Sequence, residues 1–553
     1  MSSDPADPLP EITPEHIAAA ETLSGRVTTD AHRALMCETL PRTRRALEAL
    51  RCSPRAEGEA PALRFSPLLP GADPARLPAG RSRVRWRRKP LPAWNGRDVE
   101  DLAFASASDL ARLLRAGRVT SRALTEMYLD RLKRFGPGLH CVVNRMPDDV
   151  ALAAADRADR EIAEGRWRGP LHGIPYGAKD LFAARGLPTT WGVEPYRDRV
   201  IDEDATVIRR LTEAGAVLVA KLSMGELAMG DTWFGGLTRT PWNPEEGSSG
   251  SSAGSGSATA AGLVGFALGT ETYGSIISPC VACGVTGLRP TFGRVSRHGA
   301  MPLSWSMDKV GPMARAVEDC ALVFDALRGP DGLDATVVDL PFRWEPGEGL
   351  EGLRVGLDVA SWEALKERDN AAELLPVYEA AVAMIERQIG AKLTPVTLPE
   401  RCPEYDALPM TIIGVEATAA CAPLIAEGGM DRLVQQGKNH WPNLLRVAAT
   451  IPAAEYIQAQ RVRSRLQREM AAALEGLDAY VTVPGCGPSL PYTNLTGHPE
   501  VVIRCGRTPA GTPLSLSCVG ALYREDIVLR LAGAFERATD WHRQWPELEP
   551  VSA

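Results

Sequence analysis

From about residue 99 the apolar positions of the chain fall into two kinds of run. Ser106 precedes Leu110, Leu113 and Leu114, and Thr120 precedes Leu124, Met127, Leu129 and Leu132, so two amphipathic helices with polar caps are predicted. A third is expected near residues 150–162 and another over 206–214. Between and beyond them lie short apolar segments at 175–179, 217–220, 264–268 and 481–483, which read as strands. Strands interleaved with helices predict a layered α/β fold. Residues 330–475 are mostly helical in pattern, and no internal repeat is present.

The first hundred residues differ. Residues 15–51 carry helical spacing (Ile17, Ala20, Leu23, Leu35, Leu40, Leu47, Leu50), whereas residues 53–95 contain eight prolines, which cannot continue a helix or the centre of a sheet. That segment is expected to be a strap or linker. It ends in a basic run, Arg81, Arg83, Arg85, Arg87, Arg88 and Lys89, with Trp86 inside it. A nucleic-acid or membrane-surface role is one reading. The stronger one is an extended segment lying over its own domain or a neighbouring subunit, its arginines pairing with carboxylates.

Composition narrows the classes. With 44% hydrophobic and 24% charged residues in 553, the chain is an ordinary globular protein with a sizeable core. A balance of 62 Lys+Arg against 69 Asp+Glu, formal charge −7, argues against a nucleic-acid partner engaged by the whole surface. No run approaches the roughly 18 apolar residues of a membrane span. The acidic, Pro-rich residues 1–11 lack the features of a secretory signal, so a cytoplasmic protein is expected. Eleven scattered cysteines fit a reducing compartment better than a disulfide framework. Cys280 and Cys283 form a lone C-x-x-C without a second pair, and the eight histidines include no i, i+4 pair, so no metal site is expected.

Chemistry concentrates at residues 247–257, a Gly/Ser run that looks like a flexible linker. It passes without a break into a small-residue helical segment, so it reads instead as a loop feeding a helix amino terminus, a place where backbone N–H groups converge and suit a developing anion. Gly250-Ser-Ser-Ala-Gly254 also fits the G-x-S-x-G nucleophile elbow. That motif needs a preceding strand, and the prolines and acids of residues 240–246 make one implausible.

A more specific pattern follows. Gly250-Ser-Ser-Ala-Gly-Ser255, Gly269-Thr-Glu-Thr-Tyr-Gly-Ser-Ile276 and Gly284-Val-Thr-Gly-Leu-Arg-Pro-Thr291 occur in order. They are preceded by Gly173-Ile-Pro-Tyr-Gly-Ala-Lys-Asp180 and followed by Asp308-Lys-Val-Gly-Pro-Met-Ala-Arg315. This series resembles the amidase signature family over roughly residues 100–545. The resemblance implies one large catalytic domain, residues 96–545, with a central mixed β-sheet covered by helices. A helical and Pro-rich extension, residues 1–95, would precede it, and residues 330–475 would be the variable, substrate-determining part.

It also implies a Ser-Ser-Lys triad: Ser275 as acylated nucleophile, Ser251 as bridging serine after a cis Gly250–Ser251 bond, and Lys179 as base. Backbone N–H groups of Thr272, Tyr273, Gly274 and Ser275 would form the oxyanion hole, where each donor is worth about 3–4 kcal/mol in related sites. A serine hydroxyl is a poor nucleophile until a base takes its proton. Lysine does that near neutral pH only when burial lowers its pKa, and the small and apolar neighbours of Lys179 predict such burial. No metal or cofactor is needed.

Two departures from the family pattern bear on substrate. Many members have Gly-Gly-Ser-Ile-Arg at the nucleophile, where this chain has Tyr273-Gly-Ser-Ile-Ile277; its Glu271-Thr272-x-Gly-Ser pattern, with Ser251-Ser-Ala-Gly-Ser255, looks more like the stand-alone amidases that include peptide amidases, in which aspartate is commoner at 273. Tyr273 changes the wall beside the nucleophile, and Ile277 removes a charge that would read an acidic group. The expected substrate is therefore a neutral, bulky or aromatic small-molecule amide, with esters or carbamates as further substrates. The alternatives are the glutamine-hydrolysing A subunit of a tRNA-dependent amidotransferase and a catalytically silent scaffold. The pocket is expected from the 330–475 region and loops near Trp191, Trp233 and Trp305. Oligomeric state stays open, a homodimer clasped by the extension being one option.

Overall fold

The computed structural model describes residues 10–25, 27–51, 63–69, 77–86, 90–390 and 392–549. Its centre is an eleven-stranded sheet. In chain order the strands are β1 (Val142–Arg145), β2 (Pro175–Lys179), β3 (Val217–Leu222), β4 (Phe266–Glu271), β5 (Thr286–Arg289), β6 (Lys309–Ala314), β7 (Val355–Asp358), β8 (Thr394–Val396), β9 (Ala479–Thr482), β10 (Glu500–Arg507) and β11 (Pro513–Gly520). They lie in the order β8-β7-β9-β11-β10-β5-β6-β4-β2-β3-β1. The sheet is mixed: β2 runs parallel to both β3 and β4, and β6 runs antiparallel to β4. Every residue of β2, β4 and β6 is buried. Strands covered on both faces need no polar alternation, so their polar members, Lys179, Thr270, Glu271 and Lys309, stand out as groups with work to do in the interior.

The helices expected near 106, 120, 150 and 206 are present as Ala107–Arg115, Ser121–Leu139, Asp148–Ala163 and Thr206–Glu213. Ser106 Oγ accepts from Asp109 N at 3.1 Å and Thr120 Oγ1 from Ala123 N at 3.1 Å, as the capping pattern predicts. The 330–475 region is largely helical, with Pro403–Ala420 and Ala453–Ala473 packed together, but it also supplies β7 and β8.

The Gly/Ser run is not a linker. Residues 253–260 form a buried helix whose serines hydrogen-bond backbone carbonyls: Ser255 Oγ to Leu268 O (2.8 Å) and Ser257 Oγ to Arg239 O (2.7 Å). Its glycines make room for other backbone. A Cβ on Gly254 would lie 2.4 Å from both Cys141 O and Ser223 N. The expectation of no strand before this run is corrected: Arg239–Thr240 and Asn243–Gly247 pair as an isolated two-stranded ribbon. Pro244 is tolerated because the ribbon consists of two edges only. Being outside the central sheet, it does not create a nucleophile elbow.

Residues 14–51 form the helices Pro14–Ser24 and Asp30–Arg51. The described residues of the basic run, 81–86, lie against the main body, as the reading of that run expected. Arg83–Val84 pairs in parallel with Arg343–Trp344, Arg85 forms an ion pair with Glu345, and Trp86 stacks on Trp167 with centroids 6.2 Å apart. Arg87, Arg88 and Lys89 fall outside the described residues.

Candidate active site

The carboxyl ends of β2 and β4, adjacent and parallel, bring the chemistry together, the location expected for ligands in open α/β sheets. Lys179 closes β2 with no exposed surface. Its Nζ lies 2.8 Å from Ser251 Oγ, 3.1 Å from Ser252 Oγ and 3.1 Å from Thr270 Oγ1. Burial pushes its pKa down to about 7, against the opposing pull of Asp308 and Glu271. Asp180, the next residue, forms a fully buried ion pair with Lys221 at 2.9 Å and accepts from Thr190 N at 3.0 Å, which fixes the strand end carrying the lysine.

Counting donors assigns a role to one of the three contacts. Ser252 Oγ donates to Thr270 O (3.1 Å) and accepts from Thr270 N (3.2 Å), so toward Lys179 it can only accept. A neutral lysine has two N–H donors and one lone pair. With Ser252 taking one donor, the second donor and the lone pair are left for Thr270 and Ser251, so the Ser251 hydroxyl is in reach of the lone pair. Ser252 and Thr270 were not singled out by sequence reasoning. Both had a signal, Ser252 lying within the matched Gly250–Ser255 motif and Thr270 within the matched Gly269–Ile276 motif.

Ser251 is joined to Gly250 by a cis peptide bond, as the resemblance implied. Gly250 is required there, because a Cβ would lie 1.8 Å from Gly230 O. Residues 272–276 form the turn between β4 and the helix Ile277–Cys283. Ser275 is 9% exposed and Tyr273 is 42% exposed. Gly274 takes φ +102°, a backbone that favours glycine. Among the described residues, no protein group accepts from the backbone N–H groups of Tyr273, Gly274 or Ser275. Ser252 N donates to Ser275 O at 3.1 Å, tying the two serine segments together. The Ser251 and Ser275 hydroxyls do not hydrogen-bond each other among the described residues.

Glu271 braces this turn. One carboxylate oxygen accepts from Ile276 N (2.8 Å) and Ile277 N (2.9 Å), the other from Arg289 (2.6 Å) and Asn494 (2.8 Å). Burial alone would raise its pKa, but Arg289 and Lys309 outweigh it and keep the carboxylate charged. Thr272 Oγ1 donates to Asp308 at 2.6 Å, and Asp308 also accepts from Leu303 N and Ser304 N at 2.9 Å.

A cavity of about 330 Å³ opens beside Thr270 and Thr272. Its lining is mainly apolar, including Leu181, Met301, Leu303, Trp305 and Val310. The charges in it are mostly offset: Arg297 is held by Asp334 through two contacts of 2.8 and 3.1 Å, and burial depresses the pKa of Lys309, whose Nζ donates to Met307 O. Lys179, Ser251 and Ser275 are not among the residues that line this cavity. Of the three tryptophans, only Trp305 lines this cavity. Trp191 and Trp233 belong to the interior, 5% and 6% exposed. The walls come chiefly from residues 297–310, and the 330–475 region contributes only residues 333–336. Ile277 does not face the cavity either; it packs with Ile276, Cys280 and Val502.

A mixed, helix-covered sheet that buries a lysine against a serine-rich turn defines the amidase signature class of hydrolase. The amidase family profile matches residues 123–489, and the chain belongs to that family. It is 34% identical to the A subunit of the glutamyl-tRNA(Gln) amidotransferase of Roseiflexus sp. (strain RS-1), over 80% of this chain and 98% of that one. Its fold resembles the native peptide amidase of Stenotrophomonas maltophilia, with a TM-score of 0.72 and 32% identity over 81% of this chain and 100% of that one. An amidase family protein from Bacillus anthracis str. Ames is similar at TM-score 0.72 and 27% identity, covering 83% and 96% of the two chains.

Proposed function

We propose that this protein hydrolyses the C–N bond of a neutral, bulky or aromatic small-molecule amide through an acyl-enzyme on Ser275. The observation that carries the reading is the solvent-free Lys179 Nζ, 2.8 Å from Ser251 Oγ. Ser275 Oγ attacks the carbonyl carbon while its proton passes to Ser251 and the Ser251 proton to Lys179. The oxyanion is taken by the N–H groups of the 272–275 turn, of which those of Tyr273, Gly274 and Ser275 have no protein acceptor among the described residues. Collapse breaks the C–N bond, and the proton returns from Lys179 through Ser251 to the leaving amine. Water then repeats the sequence on the ester. Catalytic hydrogen bonds commonly tighten in the substrate complex, and the relay requires the Ser251–Ser275 contact to do so.

The preference for a neutral substrate rests on the mainly apolar cavity beside Thr272, since Ile277 lies in the interior. A second reading, the glutamine-hydrolysing A subunit of an amidotransferase, is favoured by the 34% identity to such a chain over nearly its whole length. A hydrolysis screen over primary amides, anilides, carbamates and esters, with Ser275→Ala as control, separates them. Bulky neutral amides as best substrates support the amidase reading. Glutamine as best substrate, with activity raised by partner chains, overturns it.

A further inference from the structure

The strap does more than lie on the surface. Leu63 and Arg64 line the same cavity as Thr270 and Thr272. The residues that follow are clamped to the body. Phe65 packs edge-on against Phe292 with centroids 5.2 Å apart, and the Arg463 guanidinium lies 3.5 Å over its ring. Gln467 Nε2 donates to the carbonyls of Ser66 (3.0 Å) and Pro67 (3.2 Å). Pro67 is buried against Gly497, where a Cβ would stand 3.1 Å from the Pro67 ring. Arg463 is itself buried and also donates to Ser306 O (2.9 Å) and Ser306 Oγ (3.0 Å). One guanidinium thus fixes both the strap and the 303–308 loop that supplies cavity wall and holds Asp308.

We propose that this cavity receives the substrate and that Leu63 and Arg64, held by the clamped residues 65–67, form its outer rim, so that the amino-terminal extension sets the length and bulk of the substrate group that fits. This rests on the reading of Ser275 as the nucleophile of an amidase. Arg64 has no carboxylate partner among the described residues, and Leu63 is a large apolar side chain left 66% exposed. Both are free to meet the far end of a substrate, the leucine by apolar contact and the arginine through its stem.

The test compares full-length parent, Leu63→Trp and Phe65→Ala on acyl anilides from acetyl to octanoyl. The readout is the octanoyl-to-acetyl ratio of kcat/KM, alongside the rate of Ser275 labelling by a small fluorophosphonate. Leu63→Trp narrows the rim and should lower the ratio about tenfold, the size of discrimination a pocket achieves for a few methylenes. Phe65→Ala frees the strap and should raise it. Labelling should be unchanged in both. A ratio within twofold of the parent in Leu63→Trp, with labelling intact, overturns the proposal even if Phe65→Ala fails to fold. Absence of Ser275 labelling in the parent overturns the amidase reading, and the rim proposal with it.

Discussion

Two segments of this chain lack hydrophobic periodicity, and they end up in opposite environments. The Gly/Ser run at 247–257 leads into the centre of the molecule, where its hydroxyls meet backbone carbonyls and its glycines admit neighbouring backbone to within contact. The described residues 63–69 and 77–86 of the Pro-rich strap lie mostly at the surface, held by a two-residue strand pair and a few aromatic and arginine contacts. Low hydrophobicity therefore does not by itself put a segment at the surface. A polar, small-residue stretch is buried when each of its donors finds an acceptor and when removing side chains lets secondary elements approach. In the reading proposed above, the buried segment carries the reaction and the strap shapes what reaches it.

That contrast can be broken at several points. Lys179→Ala should lower kcat by about 10⁴-fold, as loss of a catalytic base does elsewhere, and Ser251→Ala by about 10³-fold for loss of a proton relay; steady-state kinetics on the best amide measures both. Gly254→Ala should destabilise the protein by about 3 kcal/mol in denaturant unfolding, because its Cβ meets backbone atoms that cannot move aside. Gly80→Ala in the strap should cost only about 1 kcal/mol from its positive φ, since the Cβ there meets only the end of the Arg343 side chain. Ser252→Ala removes one acceptor from Lys179. The protonated amine, which donates more strongly, loses more than the neutral one, so the acid limb of the pH–rate profile should move to lower pH. Equal stability losses at Gly254 and Gly80 would erase the distinction between the two regions.

Much of this was readable in the sequence. The caps at Ser106 and Thr120 mark real helix starts, and the ordered motifs placed Lys179, Ser251 and Ser275 on neighbouring segments. The strand read at 264–268 is in fact Phe266–Glu271. An apolar criterion stops short there because Thr270 and Glu271 are polar, one contacting the lysine and the other bracing the turn. The walls of the cavity beside Thr272 come chiefly from the irregular loop at 297–310, which has no periodicity to read. Ile277 was expected at the substrate. The one-residue change from a charged side chain says nothing of which way the helix Ile277–Cys283 turns it, and it turns inward.

The central claim is that Ser275 becomes acylated with a neutral Lys179 as its base. Burial holds the Lys179 pKa near 7, and only the unprotonated amine can take a proton, so reactivity should rise with pH and level off above that value. The most direct measurement is the rate of covalent labelling by a fluorophosphonate across pH, with the modified residue located by mass spectrometry. The account predicts an adduct on Ser275 alone, with a rate that climbs to a plateau around an apparent pKa of about 7 and vanishes in Lys179→Ala. Labelling at another residue, or a rate on Ser275 indifferent to pH and to Lys179, would contradict it.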